Sequence, residues 1–383
     1  MADTQPVQAP QGESPVGLFE RALLLIPGII LTGIVAWLGI QSSEWVGTEL
    51  LGFDKSPVSG IMMAIIIGLV IGNVVNLPPL FKPGITFSLK SLLKLGIILL
   101  GIRLSLGDVV EVGLVGLPVI ILCVTGGLIV ARALSKRLGL SDRLGTLIAI
   151  GTSICGATAI VATGPILDAK EEEITYAIAN ITVFGIIAMF AYPYLAHALF
   201  PTNDLGAGLF LGTAIHETAQ VAGAGLIYSE LYDNPDVLNT ATVTKLVRNV
   251  FMIAVIPFMA YDYQKRRNLA EQKPLNLMTL FPMFILGFLL MAFFRTIGDA
   301  TLDSGGNAFG LLDANVWKDV TDSIKQAAEN LLAIAMAGVG LGTSLRQLRN
   351  LGIKPFYVGF ASAVIVAGLS LSALFVLGLM GII

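Results

Sequence analysis

The composition of this chain is typical of a protein buried in lipid. Of its 383 residues, 55% are hydrophobic and only 13% are charged, and the mean hydropathy is +0.83. A chain of this kind has too little polar surface to cover a soluble globule. The net charge of −3 says nothing about nucleic acid, but no basic patch with interleaved aromatic residues is present, so nucleic acid is not an expected partner. The composition therefore predicts a protein that crosses a membrane many times.

Apolar stretches of about 20 residues, the length that a helix needs to cross the hydrocarbon, recur along the chain. Their hydropathy does not alternate with every second residue, so helices are predicted instead of barrel strands. Eleven spans are predicted, at 20–40, 58–76, 89–106, 113–134, 142–164, 171–200, 205–227, 236–263, 277–297, 318–342 and 354–382. Residues 1–19 are predicted to form a disordered tail, and 20–383 a single transmembrane domain.

The positions of Lys and Arg predict the orientation, because cytoplasmic connections retain positive charge. With the N-terminus inside, the inner connections hold fourteen Lys and Arg residues and the outer connections hold five. Those five are Lys55, Lys170, Arg295, Lys318 and Lys325. We therefore expect a cytoplasmic N-terminus and a C-terminus on the outside.

The predicted fifth span contains a run of small and hydroxyl residues, Gly-Thr-Ser-Ile-Cys-Gly-Ala-Thr-Ala-Ile-Val-Ala-Thr-Gly, at 151–164. Such a run can be a close-packing face, since small residues let membrane helices approach one another. It can also mark a break, where backbone N–H groups at the start of a half-helix face an anion. The anion-binding residues predicted for the break are Thr152, Ser153, Cys155, Gly156 and Thr158, with Cys155 acting as a small apolar residue.

The predicted seventh span contains an ionisable pair, His216 and Glu217. Ionisable groups inside a bilayer cost several kcal/mol, so they usually face a polar cavity and carry a function. Neighbouring residues point about 100° apart on a helix, so this pair cannot share one structural partner unless the helix breaks. A zinc hydrolase would need His at position 220, where Gln stands, and no enzyme activity is predicted.

We assign roles to the polar residues around this pair. Glu217, His216, Thr218 and Gln220 are predicted to bind a coupling ion, either H⁺ or Na⁺, while Thr213 and His216 contribute to the solute site. Apart from that ion, neither a cofactor nor a resident metal is predicted.

Three polar residues in neighbouring spans also have predicted roles. Lys245 and Arg248 are three residues apart and hence share one helix face. Lys245 can snorkel to the outer headgroups, whereas Arg248 is predicted to attract the anion or to neutralise the nearby carboxylate. Asn180 is predicted to line the solute cavity, because an amide in lipid needs a partner.

An internal repeat favours a transporter. Residues 92–106 align without gaps on 331–345, although a match this short and apolar can arise by chance. The two segments belong to the third and tenth predicted spans, which would cross the membrane in opposite senses. Inverted repeats of this kind place a solute near the bilayer midplane in many secondary transporters, and the two halves here are predicted at roughly 58–200 and 205–382.

Three motifs together resemble the YeiH-like sulfate exporter family of bacterial inner-membrane proteins. They are the run at 151–164 followed by acidic residues, the run at 215–225, and Met-Ala-Gly-Val-Gly-Leu-Gly-Thr-Ser-Leu at 336–345. The resemblance covers nearly the whole chain after residue 20. It implies an inner-membrane location and a sulfate, sulfite or sulfonate as solute.

A more distant similarity joins the same segments to bile acid/sodium symporters, in which two broken helices cross beside the site. The Glu-Thr-x-x-Gln pattern of that family is one residue longer than Glu217, Thr218 and Gln220 here. The fifth and seventh predicted spans would also run parallel instead of antiparallel. An additional re-entrant pass within 171–211, a permuted second repeat, or a superficial likeness would each explain this difference.

Together these features predict an all-α, inverted-repeat secondary transporter with two broken helices that carries a small anion by alternating access. A passive anion channel that uses the same breaks as a continuous pore is the alternative. The chain lacks a phosphate-binding loop, so ATP is not the predicted energy source. The expected partners are the solute and the lipid bilayer, and by analogy a second copy of the chain.

Overall fold

The computed structural model describes residues 18–50, 52, 56–267, 280–344 and 352–383, and this part of the chain is helical without a β-sheet. Its α-helices are α1 (Leu18–Trp45), α2 (Gly60–Val74), α3 (Lys82–Phe87), α4 (Leu93–Leu100), α5 (Leu106–Arg137), α6 (Asp142–Ser153), α7 (Ala157–Thr163), α8 (Glu171–Leu199), α9 (Asp204–Ala214), α10 (Thr218–Tyr232), α11 (Pro235–Val250), α12 (Met252–Arg267), α13 (Phe284–Asp303), α14 (Ala314–Gly342) and α15 (Ile353–Leu379).

The helices confirm a multi-span membrane protein. Among the described residues, seven helical segments are long and apolar enough to cross a bilayer: Ala22–Leu50, Pro79–Arg103, Leu106–Arg137, Glu171–Leu199, Pro235–Arg266, Phe284–Asp303 and Ile353–Leu379. The third span begins earlier than the sequence predicts, because Pro79 and Pro83 fall in first helical turns, where a missing N–H group costs nothing. The predicted tail lies outside the described residues apart from the start of α1.

The helices pack as two bundles. The scaffold bundle consists of α1 to α4, α13 and α14, and the hairpin bundle consists of α5 to α12 and α15. Glycines allow close contact in the scaffold: a Cβ atom on Gly340 of α14 would lie 2.3 Å from the carbonyl oxygen of Ile65 in α2. The two bundles meet mainly where α10 packs on α2 and α14, and where α13 packs on α5.

The predicted fifth span does not cross the molecule. Arg143 Nε at the start of α6 donates to the carbonyl oxygen of Leu167, which follows α7, at 3.2 Å. Ser141 Oγ donates to Glu173 Oε1 at 2.5 Å. The segment therefore ends on the side where it began, and α6 with α7 forms a re-entrant hairpin, which we call the first hairpin.

The predicted seventh span is also re-entrant, and it opens at the opposite end of the bundle. Asn234 Nδ2, after α10, donates to Asp204 Oδ1 at the start of α9 at 2.7 Å. The ring nitrogen Nδ1 of His197 and the hydroxyl of Tyr228 are 3.2 Å apart, which places the end of α8 beside the end of α10. We call α9 with α10 the second hairpin.

The prediction that 142–164 and 205–227 cross the membrane is therefore wrong, and the cause is physical. The two half-helices of each hairpin are together as long and apolar as one span, so hydropathy does not register the reversal between them. The correction moves Lys170 from the predicted outer connections to the end that carries Arg143, so the excess of positive charge at the predicted cytoplasmic end increases.

Candidate functional site

The tips of the two hairpins meet inside the hairpin bundle. Residues 154–156 connect α6 to α7, and residues 215–217 connect α9 to α10, so both glycine-rich runs are interrupted at their middle. Gly156 has a φ of +71°, a conformation that L-residues rarely adopt. A Cβ atom added there would lie 3.1 Å from the Cβ atom of Glu217, so the two tips are in contact.

Arg248 of α11 binds the carboxyl-terminal ends of α6 and α9, the first half-helix of each hairpin. Its side chain is fully buried, and its four hydrogen bonds all go to backbone oxygens. The bonds are Nε to Ser153 at 2.8 Å, Nη2 to Thr152 at 2.6 Å, and Nη1 to Thr213 at 2.7 Å and Ile215 at 3.0 Å. Arg248 therefore joins the end of α6 to the end of α9.

Lys245 makes the same kind of connection one turn earlier on α11. Its ammonium group donates to the carbonyl oxygens of Ile154 at 2.8 Å and Ile215 at 3.0 Å, and to that of His216. These three bonds use all its donors, and the side chain is fully buried. The prediction that Lys245 can snorkel to the headgroups is wrong.

The two cations match the electrostatics of the tips. The carboxyl end of a helix carries a partial negative charge of about half an electron, and the ends of α6 and α9 converge here. The ladder of each helix also ends at this point, leaving carbonyl groups that need donors away from water. Lys245 and Arg248 supply both the charge and the donors, so we refer to them as the α11 clamp.

The other side of the tips, where α7 and α10 begin, keeps accessible surface. Thr158 is exposed and Glu217 and Thr218 are partly exposed, whereas the residues at the ends of α6 and α9 are buried. The backbone N–H of Glu217 donates to Gln220 Oε1 at 3.3 Å, and Asn249 Nδ2 donates to Thr218 Oγ1 at 3.0 Å. Within the part of the chain that the structure describes, Asn249 Oδ1 is buried without a hydrogen-bond partner. Side-chain oxygen atoms, some partly exposed and some buried, therefore surround the start of α10.

Other predicted solute residues lie at the tips but are buried. The Oγ1 atom of Thr152, Oγ of Ser153 and Nδ1 of His216 are buried, and none has a hydrogen-bond partner among the described residues. Cys155 Sγ packs 3.1 Å from Met252 Sδ, as expected of a small apolar residue. The structure thus brings these groups close to Glu217, but they are buried whereas Glu217 is partly exposed.

Two predicted residues have structural partners instead. Thr213 Oγ1 lies 2.6 Å both from the carbonyl oxygen of Leu209 and from Ser370 Oγ of α15. Asn180 Nδ2 donates to the carbonyl oxygen of Pro355, and the Asn180 side chain packs on the backbone of Gly359. Asn180 therefore joins α8 to the start of α15.

Sequence reasoning undervalued Lys245 and Asn249. A signal was available, because Lys245, Arg248 and Asn249 share one face of a helix at spacings of three and four residues. Among the described residues no cluster of three His, Cys, Asp or Glu side chains could hold a metal ion.

Comparison with known proteins identifies the family. The family model described as conserved hypothetical protein 698 matches residues 27–359. A UPF0324 membrane protein of Yersinia pestis is 33% identical over 366 residues, covering 93% of this chain and 92% of that protein. The chain belongs to the UPF0324 family. The UPF0324 inner membrane protein YeiH of Salmonella typhimurium is 32% identical over 344 residues, covering 88% of this chain and 89% of YeiH.

A UPF0324 membrane protein of Fusobacterium nucleatum is 31% identical over 334 residues, covering 86% of this chain and 93% of that protein. These relatives confirm the resemblance to YeiH that the three motifs indicate. They also confirm a multi-span protein of the bacterial inner membrane. The names of the UPF0324 relatives give no function.

Lys245→Met tests the α11 clamp. We expect a lower thermal unfolding midpoint in detergent, because each buried carbonyl group that loses its donor costs about 1–3 kcal/mol. Lys94→Met, which removes the same charge from an exposed position of α4, should leave the midpoint close to that of the wild type. An unchanged midpoint for Lys245→Met would show that the tips do not depend on the clamp.

Gly156→Ala tests the contact between the tips. Holding a non-glycine residue in a disfavoured conformation costs about 1–3 kcal/mol, and the added methyl group would press on Glu217. We expect a lower unfolding midpoint. Gly33→Ala is the matched control, since a Cβ atom at that helical position meets nothing within 4 Å. Equal midpoints for the two variants would contradict the described tip geometry.

Proposed function

We propose that this protein is a secondary transporter that moves a small anion of the sulfate type by alternating access, coupled to H⁺ or Na⁺. The observation that supports this most is the meeting of two oppositely directed hairpins at a partly exposed carboxylate, Glu217. An ionisable group deep inside a membrane protein costs free energy, and a transport site is a common reason for it. Broken helices around a midplane site are typical of secondary transporters.

The proposed anion site lies on the accessible side of the tips. The first turn of α10 presents backbone N–H groups and the positive end of the helix dipole. The Thr218 and Thr158 hydroxyl groups lie on the same partly exposed side. Behind the tips the two charges of the α11 clamp add a positive field that water screens little, because both side chains are fully buried. Sulfate, sulfite or a sulfonate is the solute class implied by the similarity to YeiH-like exporters.

The proposed coupling site uses oxygen atoms of the second tip and α11. Glu217, Thr218 and Gln220 lie at the start of α10, and Asn249 joins them through the bond from its Nδ2 atom to Thr218, while its Oδ1 atom is buried without a hydrogen-bond partner among the described residues. Carboxylate, hydroxyl and amide oxygens are suitable ligands for Na⁺, and the carboxylate alone can take up a proton. His216 adjoins this set, and its buried Nδ1 atom has no hydrogen-bond partner among the described residues.

The two-bundle architecture supports alternating access. The α11 clamp ties both hairpins to one helix, so the hairpin bundle can move as a unit against the scaffold bundle. Such a movement would have to break the contact of Glu230 with the start of α2, among the other contacts between the bundles. The Glu230 carboxylate of α10 accepts a hydrogen bond from Ser59 Oγ and another from the Ile61 backbone N–H at 3.2 Å, at the start of α2.

We also propose that the inverted repeat is permuted. The segments 79–103 and 314–342 run antiparallel in the scaffold, with Gly96 beside Leu332 and Gly338 beside Leu89. The first hairpin follows α5, whereas the second hairpin precedes the corresponding part of its repeat. In this arrangement each repeat supplies one hairpin, and the two hairpins enter from opposite ends.

Glu217→Gln tests the coupling. We expect solute uptake driven by a pH or Na⁺ gradient to fall by about a hundredfold, because Gln neither exchanges a proton nor balances the charge of Na⁺. The coupling ion then no longer changes the anion affinity, an effect of ~3 kcal/mol for charges ~5 Å apart inside a protein. The measurement is counterflow and gradient-driven uptake of labelled sulfate, sulfite and a small sulfonate in proteoliposomes. Glu111→Gln, at an exposed carboxylate, should transport normally. Full uptake by the Glu217→Gln variant would refute the coupling role.

A reversible cross-link between the bundles tests alternating access. Ser59→Cys and Glu230→Cys are combined in a background where Cys123 and Cys155, the two native cysteines, are replaced by Ala. A methanethiosulfonate cross-linker should abolish counterflow, and reduction should restore it, because the bundles could no longer separate. Each single-cysteine variant should be insensitive to the reagent. Anion flux that persists in the cross-linked protein would favour the passive channel.

A further inference from the structure

A polar cavity lies away from the tips, where α5 ends and α6 begins. Its volume is about 440 Å³, and the residues that matter here are Arg132, Ser135, Lys136, Asp142, Thr146 and Arg266. Thr146 precedes Ser153 by seven residues on α6, which corresponds to about 10 Å along the helix axis. The cavity is therefore separate from the tips, at the end predicted to face the cytoplasm.

Two hydroxyl groups on the cavity wall lack partners. Ser135 is 4% exposed and Thr146 is 1% exposed, yet neither hydroxyl oxygen has a hydrogen-bond partner within the described segments. The absence of a side chain at Gly145 brings the α6 backbone against Ser135, since a Cβ atom there would lie 2.7 Å from the Ser135 Cβ atom. Buried hydroxyl groups are normally satisfied, so two unpartnered ones on the same cavity indicate a missing ligand.

The charges around the cavity favour an anion. Arg132 pairs with Asp262 at 2.7 Å, which balances one positive charge. Asp142 is the carboxylate on the cavity wall that would repel an anion. Its ion pair with Arg266, at 2.6 Å, balances that negative charge. Glu173 accepts a hydrogen bond from Ser141 on the cavity wall. Lys136, in contrast, forms no ion pair with any described carboxylate, so its positive charge is available to a ligand.

We propose that this cavity binds a tetrahedral oxyanion group, with Ser135 and Thr146 donating hydrogen bonds and Lys136 supplying the opposite charge. Arg132 lies on the same wall with donors beyond the one that reaches Asp262. The oxyanion is either free sulfate or phosphate, or the phosphate of an anionic phospholipid headgroup, since both present the same oxygens. This site does not depend on the proposed transport function.

The binding test uses the full-length protein in phosphatidylcholine nanodiscs. Sodium sulfate or inorganic phosphate, compared with sodium chloride at equal ionic strength, should raise the unfolding midpoint by about 2–4 °C at saturating concentrations if the ligand is the free anion. In a second arm, native mass spectrometry measures retention of phosphatidylglycerol, which should exceed that of phosphatidylcholine if the ligand is a headgroup. Either result supports the site, and the absence of both overturns it.

Variants locate the binding. In a Thr218→Val background, which weakens the proposed anion site at the tips, Lys136→Gln and Thr146→Val should each abolish the remaining sulfate shift or the lipid retention. Lys90→Gln, an exposed lysine outside the cavity, should preserve it. Without ligand, Thr146→Val should unfold at the wild-type midpoint or above it, because it removes an unpartnered buried hydroxyl group. Thr218→Val alone should also retain the effect. An effect that is lost in Thr218→Val alone, or kept in the two cavity variants, overturns the proposal.

Discussion

The hydrogen bonds of the α11 clamp are the interaction on which the rest of the site depends. Two hairpins that end in the middle of a bilayer expose carbonyl groups that neither water nor a continuing helix can satisfy. Lys245 and Arg248 satisfy them, and backbone dipoles in turn stabilise the two buried charges without a carboxylate. Since backbone dipoles, not a carboxylate, balance the two cations, Glu217 forms no ion pair within the described residues. Because the cations are fully engaged behind the tips, its carboxylate is available on the accessible side.

The sequence predicts the helices of this fold well and its topology less well. Length and hydropathy locate the apolar segments, and the glycine-rich composition of 151–164 and 211–225 predicts that two of them are interrupted. The direction after each interruption depends on contacts between distant residues, such as Ser141 with Glu173 and Asp204 with Asn234. Such contacts leave no periodic pattern. The difficulty with parallel spans disappears once both segments are re-entrant, since their hairpins then enter from opposite ends.

At the site, too, the sequence indicates which residues are unusual but not which partners they contact. The sequence predicts that Glu217, Thr218 and Gln220 lie at an interrupted, polar part of the fold, because polar groups in an apolar span are costly, and the structure has them at the start of α10. Lys245 was misjudged because a lysine partway along a span can reach either the headgroups or the interior, and its actual partners are backbone carbonyls, which have no sequence signature. Asn180 does need a partner, as predicted, but finds it in the backbone of α15.

The charge arrangement also bears on the order of events in the proposed cycle. The α11 clamp attracts an anion towards the tips, whereas an ionised Glu217 on the same accessible side repels it. At an effective dielectric constant of 20, two unit charges ~5 Å apart interact by ~3 kcal/mol, or more than a hundredfold in affinity. Protonation of Glu217, or Na⁺ bound to it, would remove this repulsion. The anion would then bind tightly only after the coupling ion, and the empty and fully loaded states would be the ones in which the hairpin bundle moves. In the proposed cycle, a carboxylate in this position would make coupling a consequence of electrostatics, without a separate gate.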